Sequence, residues 1–325
     1  MGNYVVESKE ILQPINDEES NHRFSIWYHP IYTNGIHPDA RFPRDRYTKL
    51  LEKLKNPEHS NKFIIQQPTE ASRNELILAH DPCYVDNFLN QNLTEKEMKR
   101  IGLTPWTPQI VPRTLLLMGG AIAALDHVME HGGIAGNMAG GTHHAHHDFG
   151  SGYCIFNDLA VCSLLALSKY DVTKIAVVDF DVHQGDGTAT ILQNIDKVLT
   201  ISVHCRQNFP FRKSESDYDL ELPANAGDEE MLAMVAKALE ITKQFDPELI
   251  LFQAGVDGLA TDALGKLNIS RQGMSKRNEM VFDLAVEQLI PTVVFMGGVT
   301  QIQFVTLSML LVTYFSVLPR PINNF

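Results

Sequence analysis

Short apolar, β-branched runs recur along the chain, and each stops at polar or glycine residues. Phe63–Ile65, Leu76–Leu78, Ile134–Asn137, Ile175–Asp181, Val198–His204, Leu249–Ala254 and Thr292–Met296 are of this kind and predict strands. Between them, Arg113–His131, Asp158–Tyr170, Asp228–Gln244 and Gln272–Leu289 have the length and apolar period of helices. Asp228-Glu229-Glu230 puts negative charge into a first turn, where the helix dipole favours it. Strand alternating with helix predicts an α/β fold, a central parallel sheet with helices on both faces.

The segments that follow the strands are too rich in chemistry for plain turns. Asn137–Asp158, Asp179–Gly187, Ala254–Gly265 and Gly297–Thr300 each follow a predicted strand. A parallel sheet brings such segments to one edge, the carboxyl ends of its strands, where ligands bind in open α/β sheets. Distant stretches of sequence would thus surround one pocket.

Composition narrows the class. The chain has 325 residues, 44% of them hydrophobic, with no internal repeat and no Pro/Gly/Ser-rich linker near the middle. A single domain over 1–325 is the expectation. The net charge is −12, from 27 basic and 39 acidic residues, which argues against direct nucleic-acid binding. Such acidity suits a cationic substrate, a lysine-bearing peptide or a polyamine, although it is also ordinary for cytosolic proteins. Cys83, Cys154, Cys162 and Cys205 form no CxxC pair and no disulfide framework, which suits a reducing, cytoplasmic setting. Glu7, Lys9 and Glu10 interrupt any signal-peptide core, and Val6 stands where myristoylation at Gly2 wants Ser or Thr. Residues 288–319 carry no charge. Thr306, Ser308, Thr313 and Ser316 interrupt the apolar stretch Phe304–Leu318, so it reads as a buried terminal helix rather than a membrane span.

Three segments hold the candidate chemistry. Residues 139–148 read Ala-Gly-Gly-Thr-His-His-Ala-His-His-Asp, and a His pair there can serve as acid and base or as metal ligands. Residues 179–187 read Asp-Phe-Asp-Val-His-Gln-Gly-Asp-Gly. Asp181 and His183, two apart on an extended strand, would point one way as an oxygen and a nitrogen ligand. Asp179 and Asp186 remain as carboxylates able to accept an imidazole N–H and fix its tautomer, though Asp186 could equally be a turn residue between glycines. Asp257 follows another apolar strand and would complete a two-Asp, one-His set with open positions.

Taken together, these residues resemble the histone deacetylase family of the arginase–deacetylase fold, and the bacterial and class IV branch in particular. The resemblance rests on Gly-Gly-Thr-His-His-Ala at 140–145, Gly-Tyr-Cys-Ile-Phe-Asn-Asp at 152–158, the 179–187 segment and Ala-Gly-Val-Asp at 254–257. Asn208-Phe209-Pro210-Phe211-Arg212-Lys213 and Arg41-Phe42-Pro43 point to the branch. The resemblance covers roughly 25–298. It implies a zinc ion held by Asp181, His183 and Asp257, with Fe2+ also admitted by the mixed ligands. It implies a catalytic pair, His143 with Asp179 and His144 with Asp186, His144 being the general base. It implies an acyl-lysine tunnel lined by Gly152, Tyr153 and Phe209. It also implies a structural potassium ion held by Asp179, Ser202 and main-chain carbonyls of Asp181, His183 and Val203. The expected reaction is hydrolysis of an acyl group from a lysine peptide, a protein or a polyamine.

One departure bears on rate. The family's oxyanion-binding Tyr follows the last glycines, but here 295–301 read Phe-Met-Gly-Gly-Val-Thr-Gln, which puts Val299 in its place. Thr300 is one position off and Tyr314 too far along. Missing one oxyanion donor costs a factor of roughly 10²–10³. The tail 299–325 diverges from the same point. A catalytically impaired acyl-lysine or metal-binding protein is therefore a second expectation. An arginase-like ureohydrolase is a third, disfavoured because its two-metal site would want more Asp ligands.

Overall fold

The computed structural model describes residues 23–298. Eight strands form one sheet: β1 (Phe24–Trp27), β2 (Phe63–Gln66), β3 (Ile134–Asn137), β4 (Ile175–Asp179), β5 (Val198–Cys205), β6 (Tyr218–Leu222), β7 (Leu249–Gln253) and β8 (Thr292–Phe295). Their order is β2-β1-β3-β8-β7-β4-β5-β6, and every neighbouring pair is parallel. Every residue of β3, β4, β5, β7 and β8 is buried. Successive side chains on a strand point to opposite faces, so both faces of the central sheet are covered. The helix Ile110–His131 packs on β1, β3 and β8, and Asp228–Phe245 on β4, β5 and β6. Among the described residues no helix is long and apolar enough to cross a membrane.

The strand order explains where the chemistry gathers. β3, β8, β7 and β4 are consecutive in the sheet. These are the four strands that lead into the polar segments singled out in the sequence. The chain reaches β4 from β3 by skipping two places, which β7 and β8 later fill. Such a break in strand order opens a crevice at the carboxyl edge.

Several local expectations change. Leu76–Leu78 is not a strand: Arg73–Leu76 is one helical turn, started by a capping box between Ser72 and Glu75. Two strands lacked the expected signal. Phe24–Trp27 is only four residues long, and Tyr218–Leu222 carries Asp219 and Glu221 on a half-exposed edge. β4 ends at Asp179, two residues earlier than its apolar run suggests. Asp181 and His183 therefore sit in the bend beyond the strand, and that bend, not strand alternation, makes them converge. The apolar tail Phe304–Leu318 and the donor question at Val299, Thr300 and Tyr314 lie outside the described residues.

A candidate metal centre beside two paired histidines

The loop after β3 is shaped by Asp158, a buried carboxylate at the start of the helix Asp158–Lys169. It accepts from the backbone N–H of Gly141 and Thr142 and from the Thr142 hydroxyl, each at 2.8 Å. Gly141 turns with a φ of 72°, and an added Cβ there would meet Gln253 Oε1 at 2.2 Å. Asn157 caps the same helix through Ala160 N–H, and its amide donates to the Ala145 carbonyl at 3.1 Å. These bonds turn His143 and His144 inward, with ring centroids 4.1 Å apart.

Each ring has its own carboxylate. His143 Nδ1 is 2.6 Å from Asp179 Oδ2, and His144 Nδ1 is 2.6 Å from Asp186 Oδ1. Asp186 opens the helix Asp186–Leu192 and is more than a turn residue: His146 Nε2 lies 3.2 Å from its other oxygen. The sequence did not single out His146, although it lies in the same His-rich segment. Thr190 in turn holds His146 Nδ1 at 2.8 Å.

Asp181, His183 and Asp257 converge next to this pair, their ligand atoms all within 4.8 Å of one another. His183 Nδ1 is 3.0 Å from both Asp181 Oδ1 and Asp257 Oδ2. The backbone pins the two carboxylates, with Val182 N–H donating to Asp257 at 3.0 Å and Gly298 N–H to Asp181 at 2.9 Å. Behind them lies Arg277, fully buried, which donates to the carbonyls of Phe180, Ala254 and Gly255. It ties the ends of β4 and β7 together and places a cation near three aspartates. Its guanidinium is pulled down to about 10 by burial, which those aspartates only partly offset. Nothing in the sequence marked Arg277, since it falls in an ordinary helix far from every motif.

The electrostatics separate the two histidines. Burial opposes charge on His143, but Asp179 and Asp181 outweigh it and hold the ring at about 9. Burial and the neighbouring His143 charge push His144 down to about 4. Burial also opposes charge on Asp186, yet the bonds from His144 and His146 hold it well below the carboxylate range. Asp257 is pushed up to about 6 by burial and by Asp181. Two buried carboxylates this close repel one another, which a shared cation would relieve. The donor set, two oxygens and one nitrogen with open positions, fits a divalent catalytic metal.

His143, His144, Asp181, His183 and Asp257 line one cavity of about 500 Å³. Gly152, Tyr153 and Phe209 line it too. The Phe209 ring meets His144 edge-on at 4.8 Å, and Tyr153 meets Phe42 at 5.5 Å. Asp179 and Ser202 are direct partners in the β4–β5 register, with Val203 next along β5. The Ser202 hydroxyl is 2.9 Å from His204 Nδ1.

The model of the histone deacetylase domain matches residues 40–312. The chain belongs to the histone deacetylase family. The match takes in 299–312, beyond the point where the tail was expected to diverge. An uncharacterized protein of Picosynechococcus sp. is 40% identical over 276 residues, 85% of this chain and 91% of the relative. Histone deacetylase 2 of Arabidopsis thaliana is 29% identical over 81% of this chain and 69% of its own length. A probable deacetylase of Archaeoglobus fulgidus is 29% identical over 74% of this chain and 69% of its own length. Among solved structures, the HDA15 HD domain matches with a TM-score of 0.76 at 20% identity, over 91% of this chain and 88% of that one. Acetylpolyamine aminohydrolase of Burkholderia pseudomallei matches equally well, with a TM-score of 0.76 at 18% identity over 90% and 99% of the two chains. These structural likenesses bear on the fold, which is the arginase–deacetylase architecture read from the motifs.

Proposed function

We propose that the chain is a zinc-dependent deacylase that hydrolyses the amide of an acylated lysine or a related amine. One observation carries this reading: two carboxylate-held histidines of opposite charge preference share a cavity with the Asp181–His183–Asp257 set. A zinc ion held by those three side chains would polarise the acyl carbonyl and acidify a water molecule. Fe2+ fits the same mixed ligands.

The chain's own groups do the proton work. His144 stays neutral through ordinary pH, so its Nε2 can take a proton from the attacking water, while Asp186 holds the other nitrogen. The water oxygen bonds to the acyl carbon to give a tetrahedral oxyanion, which collapses with cleavage of the C–N bond as the amine nitrogen is protonated. His143, held protonated by Asp179, can supply a proton to the leaving amine. Gly152, Tyr153 and Phe209 would sheath the alkyl part of the substrate. Asp179, Ser202 and the carbonyls of Asp181, His183 and Val203 would hold potassium beneath the site.

Metal analysis with a panel of acyl-lysine peptides tests the proposal. The expected result is about one metal per chain, with hydrolysis, and loss of both in Asp257→Ala. A chain that binds no metal, or an Asp257→Ala variant that hydrolyses as well as the wild type, ends this reading. Two metals per chain would favour the ureohydrolase instead. Val299 favours a second reading, a protein that binds acyl-lysine but turns it over slowly or not at all. Val299→Tyr distinguishes them: a disabled donor predicts a gain of roughly 10²–10³ in kcat. No gain, with tight ligand binding retained, favours the binding protein.

A further inference from the structure

Arg46 and Arg113 line the same cavity, and both are buried, at 7% and 4% exposure. Neither meets a carboxylate among the described residues. Their recorded partners are neutral: Arg46 Nη2 donates to the Tyr47 hydroxyl at 3.1 Å, and Arg113 Nη2 to the same hydroxyl at 3.4 Å. Arg113 Nε donates to the Tyr32 carbonyl at 3.0 Å. Arg46 Nε has no hydrogen-bond partner among the described residues. The Arg46 guanidinium also lies 4.9 Å from the Phe42 ring and 4.7 Å from the Tyr47 ring, contacts that hold it in place without neutralising it. The acids lining this cavity are Asp181 and Asp257, already committed to the candidate metal centre.

Two buried guanidinium groups sharing one phenol leave charge that no carboxylate among the described residues balances. Burying a cation is costly unless it is paired. An arginine fork fits a carboxylate with two parallel hydrogen bonds. Phe42 places this pair next to the tunnel, because its ring meets both Tyr47 and Tyr153. We propose that Arg46, Arg113 and Tyr47 form a carboxylate subsite within the cavity, and that the preferred substrate carries an acyl group ending in a carboxylate. The inference rests on the deacylase reading and specifies its substrate class. A hydrocarbon acyl group would leave both cations unpaired, whereas a dicarboxylic acyl group of suitable length pairs them while its amide sits at the histidines.

The test is binding, measured by fluorescence anisotropy on the metal-loaded full chain, with turnover followed in parallel. Labelled lysine peptides carrying malonyl, succinyl or glutaryl groups are compared with propionyl, butyryl and valeryl peptides. The best carboxylate-ended acyl group is expected to bind at least about tenfold tighter than its hydrocarbon counterpart, about 1.4 kcal/mol. That ratio should fall below about threefold in Arg46→Met and in Arg113→Met, in line with the lost pairing. Arg46→Gln is the milder companion should the methionine variants fail to fold. Equal or tighter binding of the hydrocarbon acyl peptides overturns the proposal, as does a ratio that survives loss of either arginine. Free valerate displacing a valeryl peptide, with no advantage for glutaryl, would make the occupant the released acid and overturn the substrate assignment. Hydrolysis without a carboxylate preference removes this inference alone. If no acyl peptide binds or is hydrolysed, the deacylase reading falls with it.

Discussion

His80 is buried with both ring nitrogens engaged, and nothing in the sequence distinguished it. Its Nδ1 is 2.9 Å from the His146 carbonyl, and its Nε2 accepts the Asn157 N–H at 2.8 Å. The accepting nitrogen has no room for a proton, so the folded ring is neutral. Burial pushes it down to about 4 from an ordinary 6.5. A histidine with a depressed folded value binds fewer protons folded than unfolded between those two points. Its contribution is present in full above pH 6.5 and drains away as pH falls towards 4. The full gap is worth about 3 kcal/mol. Denaturant unfolding between neutral and mildly acidic pH should therefore show the wild type losing about 2 kcal/mol more than His80→Asn. Equal losses would mean the folded ring is charged. The proposed general base gives a kinetic counterpart: His144→Ala should lower kcat by roughly 10²–10⁴, read from single-turnover hydrolysis.

At the scale of elements, the carboxyl edge of the sheet is assembled by backbone packed closely on backbone. Gly141 is the clearest case, because its left-handed φ and the crowding by Gln253 and the Gly297 Cα at 2.6 Å both exclude a side chain. Gly141→Ala should cost about 1–2 kcal/mol for the left-handed backbone, plus about 1–3 for overpacking. Urea unfolding measures the sum. The same change should displace His143 and His144, so activity should fall further than the stability loss alone explains. Asp158 began a predicted helix and closed a family motif but was given no role of its own, yet it anchors the loop that carries both histidines. Its helix was legible from apolar period, but its bonds to Gly141 and Thr142 depend on the loop after β3 folding back onto the start of that helix.

At the scale of the whole molecule, Arg277 joins the ends of two strands that lie far apart in sequence. Its three carbonyl partners belong to the segments carrying Asp181 and Asp257. Arg277→Met would leave those carbonyls buried without donors, at a cost of about 3 kcal/mol or more. It should also loosen the candidate metal centre, seen as weaker metal retention in competition with a chelator. A variant as stable as the wild type, with unchanged metal retention, would show that the β4–β7 junction holds without it.

The chain by itself determined a good deal. Apolar runs gave the five central strands β3, β4, β5, β7 and β8, because a strand covered on both faces must be apolar throughout. Three separate local motifs supplied the candidate residues, His143 with His144, Asp179 to Asp186, and Asp257, and the family resemblance, not their spacing, implied how they combine. β6 escaped because its half-exposed edge carries acids, β1 because it is only four residues long, and the turn Arg73–Leu76 because three apolar residues fit either state. Tertiary structure decided the rest: which loops meet, that His143 is held charged and His144 neutral, and that Arg277 underlies the aspartates. It also placed Arg46 and Arg113 in the same cavity as His143 and His144. Those outcomes depend on burial and on distances between residues far apart in the chain, and burial sets both the cost of a charge and the strength of its partners.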